Sequence, residues 1–289
     1  MTGGHSPETG SARGYHRAPV RLVAYERSGH RRLGALLNDG VVDLSELVGH
    51  PAFPSSLEGL VSRNGGTVLD AARYALEREG HQMRLEPSPG LLAPLLPTSL
   101  RSIEAEDGHR RMLGPGQDVP WPEGAGWLDY RPKVAAVIGR PGRRLDAAGA
   151  EAIIFGYTLV NDWVARDASG DPAPRSEAPI ALGPSVLTAD ELDPALVSVV
   201  ATVDGEIWAA TLLASARDTL AEMIAQASAN EELQPGDTFA ADPFRAPGGV
   251  SDGRALWPGA RVELRADGIG ALRNRVCVQV EQTPKANAG

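Results

Sequence analysis

Residues 128–139 have the sequence LDYRPKVAAVIG, in which a strand signal meets two unusual cations. Val134 to Ile138 are small or β-branched and Gly139 ends the run, which is typical of a buried strand. Arg131 and Lys133 precede this run two residues apart, so on a strand their side chains lie on one face. Two like charges beside a buried strand repel each other and lose hydration. The stretch therefore predicts a buried strand whose cations have a functional or a structural reason to be there.

A second stretch, IFGYTLVNDWVARD at residues 154–167, combines a strand signal with polar groups. It carries Tyr157 and Asn161 and runs into Asp162, Arg166 and Asp167. Carboxylates and an arginine at a strand end, beside aromatic bulk, are typical of the edge of an active site. A structural Arg–Asp pair gives the same pattern, so both interpretations stay open at this point.

The overall composition excludes several classes of protein. The chain has 289 residues and a net charge of −9, and it has no basic cluster interleaved with aromatic residues, so we expect no nucleic-acid partner. No apolar run approaches the ~20 residues that span a bilayer, and the polar start MTGGHSPETGSARG does not resemble a signal peptide. The single cysteine, Cys277, argues against an internal disulfide. We therefore expect a cytoplasmic protein without a membrane partner.

The order of strand and helix signals predicts two domains between two tails. Residues 1–18 and 284–289 are expected to be tails. Residues 19–96 show hairpin strands followed by helical periodicity at 55–63, which has a serine N-cap, and at 67–80. Residues 97–283 are mostly strands, with one helix in 216–230; the predicted strands are 133–138, 155–162, 196–203, 206–212, 237–240, 260–266 and 272–281. The fold class is α+β: a small N-terminal α/β domain followed by a mixed β-roll or sandwich.

Of the six histidines, His109 has the most suggestive surroundings. It lies in the segment SIEAEDGHRRM next to Glu104, Glu106 and Asp107. Acidic neighbours of this kind can make a histidine a catalytic base. A solvated charged segment has the same composition, and the chemistry of the residues alone favours that second interpretation.

The motif order resembles that of the fumarylacetoacetate hydrolase superfamily over about residues 20–282. The resemblance rests on seven segments besides the opening stretch: RLGALLNDGVVDL, PTSLRSIEAEDGH, GPGQDVPWP, IFGYTLVNDWVARD, ALGPSVLTADEL, LQPGDTFAADP and GARVELRADGIGALRNRV. The resemblance implies a C-terminal mixed β-roll with a metal pocket at its mouth, and a homodimer. In that family a divalent metal held by carboxylates polarises the oxygens of a dicarbonyl substrate, and a histidine with a glutamate partner activates water.

The positions that correspond to the family's metal ligands are altered in this chain. The family's Glu-x-Glu pair falls on Arg131 and Lys133, and another metal-binding aspartate falls on Ser102. One aspartate persists as Asp162, and the histidine is retained as His109. One carboxylate beside two cations does not suit Mg²⁺, which needs several oxygen donors. We therefore expect no metal and no other cofactor.

Two interpretations of Arg131 and Lys133 follow from this comparison. In the first, Arg131 clamps a carboxylate or enolate oxygen and Lys133 acts as acid, base or Schiff-base amine. In the second, the two cations only neutralise Asp162, and the former pocket is closed by a salt bridge. One cation suffices for that purpose and two leave an excess, so we favour the first interpretation.

These arguments lead to three hypotheses for function. The first is a metal-independent enzyme on this scaffold, acting on an oxo acid or enolisable dicarbonyl as a lyase, decarboxylase, dehydratase, isomerase or cyclase, in bacterial secondary metabolism. The second is a non-catalytic binding protein, and the third is a conventional metal-dependent hydrolase with ligands rebuilt from Glu104, Glu106, Asp162 and Asp242. For the first hypothesis the catalytic candidates are His109, Lys133, Arg131 and Asp162, and the substrate-binding candidates are Tyr130, Tyr157, Asn161, Arg166 and Asp242. The expected partners are a small molecule with a carboxylate or dicarbonyl and a second copy of the chain.

Overall fold

A computed structural model describes residues 19–37, 40–63, 66–79, 90–102, 110–171, 178–216, 218–244 and 253–277. Its strands are β1 (Arg21–Arg27), β2 (His30–Leu37), β3 (Gly40–Asp43), β4 (Gly90–Leu92), β5 (Ser99–Ser102), β6 (Met112–Leu113), β7 (Asp118–Val119), β8 (Trp127–Ile138), β9 (Ile154–Arg166), β10 (Ile180–Thr188), β11 (Ser198–Val203), β12 (Glu206–Leu212), β13 (Asp237–Ala241), β14 (Arg261–Ala266) and β15 (Gly270–Val276). The helices are α1 (Leu44–Val48), α2 (Leu57–Ser62), α3 (Gly66–Glu79), α4 (Ala147–Ala152) and α5 (Leu220–Ser228). Short 3₁₀ turns follow β10 at Ala189–Glu191 and β12 at Leu213–Ser215.

The strands form two sheets, most of whose neighbours are antiparallel. The larger sheet has the order β3-β2-β1-β10-β9-β8-β13-β5, with β4 beside β1 and β6 beside β10. The smaller sheet has the order β12-β11-β14-β15-β7. The pairing of β1 with β10 joins the N-terminal strands to the sheet that holds β8 and β9. The predicted α+β class with a mixed sandwich is confirmed. The division into domains at residue 97 stays a prediction, and the larger sheet contains strands from both sides of that residue.

The larger sheet is covered on both faces, and the alternation of side chains along β8 and β9 shows how. Tyr130, Val134 and Trp163 belong to a core shared with the smaller sheet and α5. Ala135 and Val160 belong to a second core, shared with α1, α2 and α3. Successive residues of a strand point to opposite faces, so each position on β8 and β9 is assigned to one of these two sides.

Local sequence signals account for most of the elements. Ser56 caps α2 by accepting a hydrogen bond from the Gly59 amide, as predicted. The predicted helix in 216–230 is α5, which begins with a capping box between Thr219 and Glu222. Within the described ranges no helix is long and apolar enough to cross a membrane.

One central strand, β10, is absent from the strands predicted above. Its middle contains Gly183 and Pro184, a pair that is typical of a turn. The pairing of β10 with β9 is interrupted by an irregularity between Gly183 and Leu187, so the proline lies where no ladder hydrogen bond is needed. The tertiary pairing therefore overrides the local turn signal.

Candidate functional site

The pairing of β8 with β9 brings Arg131 and Lys133 close to Asp162. Arg131 lies directly opposite Asp162, and Lys133 lies opposite Val160. Because the side-chain period of a strand is two, Arg131, Lys133 and Asp162 share the face that also carries Ala135. The sequence pattern and the register thus place both cations and the carboxylate together.

Asp162 and Lys133 form a buried ion pair on this face. The exposed fractions are 5% for Asp162 and 3% for Lys133, and Lys133 Nζ donates to Asp162 Oδ2 at 3.1 Å. The other carboxylate oxygen, Oδ1, accepts from Arg110 Nη1 at 2.6 Å. Each oxygen of the one retained family carboxylate is therefore already bonded to a cation.

Arg110 is a site residue that the sequence analysis missed. Its guanidinium also donates from Nε to the Ala178 carbonyl at 2.8 Å and from Nη2 to the Trp163 and Pro179 carbonyls at 2.6 and 3.1 Å. A planar guanidinium with five donors suits such a set of fixed acceptors. No local pattern marks Arg110, which is 52 residues from Asp162. The only available signal was the general need of a buried carboxylate for a compensating charge.

Asp162, Lys133 and Arg110, with Arg131 opposite Asp162, are called the cation cluster below. The electrostatics of this cluster favour the charged form of Asp162. Burial by itself raises the pKa of the Asp162 carboxyl, but the charges and hydrogen bonds of Lys133 and Arg110 outweigh burial and hold the pKa below its usual range. The carboxyl is thus an anion at neutral pH. Its role here is that of a counter-ion for two cations and not that of a proton donor.

Two further residues, Arg131 and Asp242, border this cluster. Arg131 is half-buried and, as stated, lies opposite Asp162. On the other side of β8, Ala240 and Ala241 of β13 pair with Ala135 and Val134, so the next residue, Asp242, follows the strand beside Lys133. Asp242 Oδ1 accepts from the Phe244 amide at 2.7 Å, which holds this carboxylate in a tight turn. Asp242 therefore lies near the cluster in space, and its role in binding substrate stays a prediction.

Arg166 lies on the same face but has a partner of its own. Asp129, which is 1% exposed, accepts from Arg166 Nε at 3.0 Å and Nη2 at 2.9 Å, and Arg166 Nη1 donates to the Gly170 carbonyl. Asp167 accepts from the Ser169 and Asp171 amides in a turn. This end of β9 thus has the structural Arg–Asp pairing that was the second interpretation above.

Three of the predicted substrate-binding residues lie on the opposite face of the sheet. Tyr130, Tyr157 and Asn161 alternate with Arg131 and Asp162, so they point toward the smaller sheet. Tyr130 lies beside the Trp208 ring, with ring centroids 6.1 Å apart, and Asn161 is 1% exposed. The structure does not bring these residues together with Lys133 and Asp162. The two-residue period by itself already separates Asn161 from Asp162.

Several predicted residues lie outside the part of the chain that the structure describes. These are His109, Glu104 and Glu106. For Ser102 the strand register is described, and it pairs with Ala240, on the side of β13 away from β8. The role of His109 as a base stays a prediction.

The residues that are described do not fit the divalent metal of the resemblance. Among them, no three His, Cys, Asp or Glu side chains are grouped so that they could hold a metal ion. Asp162 is the one carboxylate at the expected ligand positions, and its oxygens are bonded to Lys133 and Arg110. A hard cation requires several oxygen donors, and it is repelled by these cations.

Comparison with known proteins identifies the family of this chain. The family described as Fumarylacetoacetate (FAA) hydrolase C-terminal matches residues 107–277, more than half of the chain. The chain belongs to the fumarylacetoacetate hydrolase family. The matched range includes β8, β9 and all the residues of the cation cluster. It also confirms the resemblance that the motif order indicated.

The individual proteins that this chain resembles are distant from it in sequence. The chain is 32% identical over 152 residues to an uncharacterized protein of Staphylococcus aureus strain USA300, covering 50% of this chain and 51% of that protein. The chain thus spans about half the length of the curated relatives it matches. The structure is similar to maleylpyruvate hydrolase from Sphingobium sp. SYK-6, with a TM-score of 0.72, 23% identity and coverage of 90% of this chain and 100% of the other. It is also similar to a probable 2-hydroxyhepta-2,4-diene-1,7-dioate isomerase from Mycobacterium abscessus, with a TM-score of 0.67, 22% identity and coverage of 91% and 99%.

Proposed function

We propose that this protein is a fumarylacetoacetate hydrolase-family enzyme that uses fixed side-chain cations where its relatives use a divalent metal. Its substrate class is a small oxo acid or an enolisable dicarbonyl. The observation that carries the proposal is the cluster on β8 and β9, where Lys133 and Arg110 hold Asp162 and Arg131 lies opposite it. The printed names of structural neighbours include a hydrolase and an isomerase, which supports an enzyme on this scaffold.

The charge of the cluster supports binding of an anion in preference to a metal. At an effective dielectric constant of about 20, a divalent ion and a unit charge about 4 Å apart interact by about 8 kcal/mol. One cation at the same distance cancels the attraction of Asp162 for such an ion. Lys133 and Arg110 both contact this carboxylate, so the cluster as a whole repels a metal ion. The same net positive charge attracts a substrate carboxylate or enolate oxygen.

The chemistry that suits this cluster is stabilisation of a developing oxyanion. Fixed cations that need no reorganisation lower the barrier to forming an enolate beside a carbonyl group. Arg131 is the residue proposed to hold the substrate oxygen, because it lies opposite Asp162 and is more exposed than Lys133. Asp242 borders the same face as a candidate for substrate contact, whereas the guanidinium of Arg166 is held by Asp129 and Gly170. Proton transfer, decarboxylation, dehydration, isomerisation and cyclisation all pass through such an enolate, and the proposal covers this class of reactions.

The experiment that tests the proposal is a calorimetric titration of chelator-treated protein with Mg²⁺ and Mn²⁺. Three proteins are compared: wild type, the double variant Arg131→Glu/Lys133→Glu, and the matched neutral variant Arg131→Met/Lys133→Met. We expect metal binding only in the variant with two added carboxylates, because it alone supplies the donors that the ions need. The neutral variant removes the two positive charges without adding oxygen donors. Failure of this variant to bind metal shows that the added carboxylates, and not only the loss of charge repulsion, are required. Tight binding of Mg²⁺ or Mn²⁺ by wild type contradicts the proposal.

A second titration tests the anion-binding half of the proposal. Pyruvate is a simple probe that carries both a carboxylate and an adjacent carbonyl. We expect wild type to bind pyruvate and Arg131→Met to bind it at least about tenfold more weakly, the scale of one charge-assisted hydrogen bond. Equal affinity in the two proteins contradicts the role given to Arg131.

A non-catalytic role is the second candidate, and one observation favours it. Lys133 and Asp162 are both nearly inaccessible and bonded to each other, as expected of a salt bridge that closes a former pocket. If neither metal nor pyruvate binds wild type, this binding-protein hypothesis is preferred. Tight metal binding by wild type instead favours the third hypothesis, a metal-dependent hydrolase whose rebuilt ligands include Glu104 and Glu106. The proposed homodimer is tested separately by light scattering of the purified chain.

A further inference from the structure

A cavity of about 320 Å³ lies on the other side of the large sheet from Asp162. Its walls come from the start of β9, from α4 and α5, and from the 3₁₀ turn at Leu213–Ser215. Ile154, Leu220 and Ala241 are among the apolar side chains that line it. A largely apolar cavity of this volume is at the small end of the range for ligand sites.

Tyr157 supplies a polar group in the wall of this cavity. Its side chain is 5% exposed and lines the cavity, and its hydroxyl has no hydrogen-bond partner among the described residues. Burial, and to a lesser extent the nearby charges of Glu151 and Asp193, raises the pKa of Tyr157 to about 12. The hydroxyl is therefore neutral at physiological pH, and it is open to the cavity as a hydrogen-bond donor and acceptor. A ligand that fills the cavity and displaces water must hydrogen-bond this hydroxyl or leave it unsatisfied.

The ionisable side chains that line the cavity besides Tyr157 are all acidic. They are Glu151, Asp193 and Glu222, and the described lining residues include no Lys, Arg or His. All three are exposed, so they mark the mouth of the cavity and not its interior. Glu222 is already bonded to the Thr219 amide and hydroxyl in the capping box. Asp193 Oδ1 accepts from the Ala195 amide at 3.0 Å, and Glu151 and Asp193 are the two carboxylates whose charges reach Tyr157.

We propose that this cavity binds a small organic cation: a primary ammonium group with a short apolar body. The apolar body contacts Ile154, Leu220 and Ala241, while the ammonium group lies at the mouth between Glu151 and Asp193. The Tyr157 hydroxyl accepts one of the ammonium hydrogens, and the ring face adds an attraction for the cation. An anion is disfavoured by the carboxylates, and a neutral ligand of the same shape leaves their charges uncompensated.

The site is separate from the cation cluster, so the inference does not rest on the proposed function. Tyr157 precedes Asp162 by five residues on β9, which is about 17 Å at about 3.3 Å per residue. The two side chains also point to opposite faces of the sheet. The ligands have opposite charge as well, so binding at one site is distinguishable from binding at the other.

The test is a titration of the full chain with benzylamine, benzyl alcohol and benzoate at neutral pH. These probes share one ring and differ in charge. We expect benzylamine to bind at least about tenfold more tightly than benzyl alcohol and its affinity to fall as salt is added, because the carboxylates are exposed and screened. Benzoate is expected not to bind in the cavity. Equal binding of the three probes, or no binding of benzylamine at millimolar concentration, overturns the proposal.

Variants then locate the bound amine. Asp193→Asn and Glu151→Gln are each expected to lower the affinity for benzylamine about two- to fivefold, which is the scale of an exposed ion pair. The matched control Glu206→Gln removes an exposed carboxylate elsewhere and is expected to leave the affinity unchanged. Ala221→Leu fills the cavity from α5 and is expected to abolish binding. If Glu206→Gln weakens binding as much as Asp193→Asn, the amine is attracted only by net charge and the site is refuted.

Discussion

The Asp162 to Lys133 ion pair makes a sharp prediction about stability. In Asp162→Asn, Lys133 stays buried at 3% exposure but loses the carboxylate that accepts its hydrogen bond at 3.1 Å. Arg110 still has the Ala178, Trp163 and Pro179 carbonyls, so it adds little to the cost. Breaking one side of a buried pair costs about 3–5 kcal/mol. For a chain of 289 residues, an unfolding entropy of about 2.1 cal/mol/K per residue makes that a fall in Tm of roughly 5–8 °C.

The assay is urea unfolding followed by circular dichroism, with calorimetry for Tm. The decisive comparison is the double variant Asp162→Leu/Lys133→Met, which removes both charges and replaces them with apolar side chains. Replacing a whole buried pair in this way is nearly neutral in other proteins, so we expect the double variant to lie within about 2 kcal/mol of wild type. Glu231→Gln breaks the exposed pair with Arg101 and is expected to cost about 0.5 kcal/mol. A loss below about 1 kcal/mol for Asp162→Asn, or equal losses for the single and double variants, refutes the reasoning.

Three further predictions concern other polar contacts. The pKa of Asp162 is lower in the folded chain than in the unfolded chain, so its contribution to stability is present above about pH 4 and is lost as the pH falls through the folded value. The free energy of unfolding of Asp162→Asn is therefore expected to fall less steeply with pH below about 4 than that of wild type. Identical pH profiles of the two proteins contradict this. Tyr25→Phe removes the hydrogen bond to the buried Asp43 at 2.7 Å and is expected to cost about 1–3 kcal/mol in urea unfolding, with an unchanged stability counting against it. Ser228→Ala removes the fully buried hydroxyl that accepts from the Leu145 amide, and we expect a loss of about 1–2 kcal/mol and faster amide exchange at Leu145, whereas unchanged exchange contradicts that role.

The sequence alone predicts that Arg131 and Lys133 stand where the family has carboxylates, because this depends only on the order of nearby residues. Arg131 and Lys133 are two apart on a strand whose apolar run follows directly, so their common face follows from the strand period. The motif order then identified the positions at which carboxylates were expected. The alternation also assigns Tyr130, Tyr157 and Asn161 to the opposite face, and the prediction that they bind the same substrate disregarded that alternation.

Periodicity, caps and motif order are local properties of the chain, so the family, most strands and helices, and the cations at the family's metal-binding positions could be predicted from the residues alone. The cations that bond Asp162 are identified only in the folded chain. Arg110 reaches it from 52 residues away, and a partner at that separation follows from how β9 and β10 meet, not from any local pattern. The place of β10 and the cavity beside Tyr157 were decided in the same way. Long-range pairing and packing set both, and neither leaves a period in the sequence.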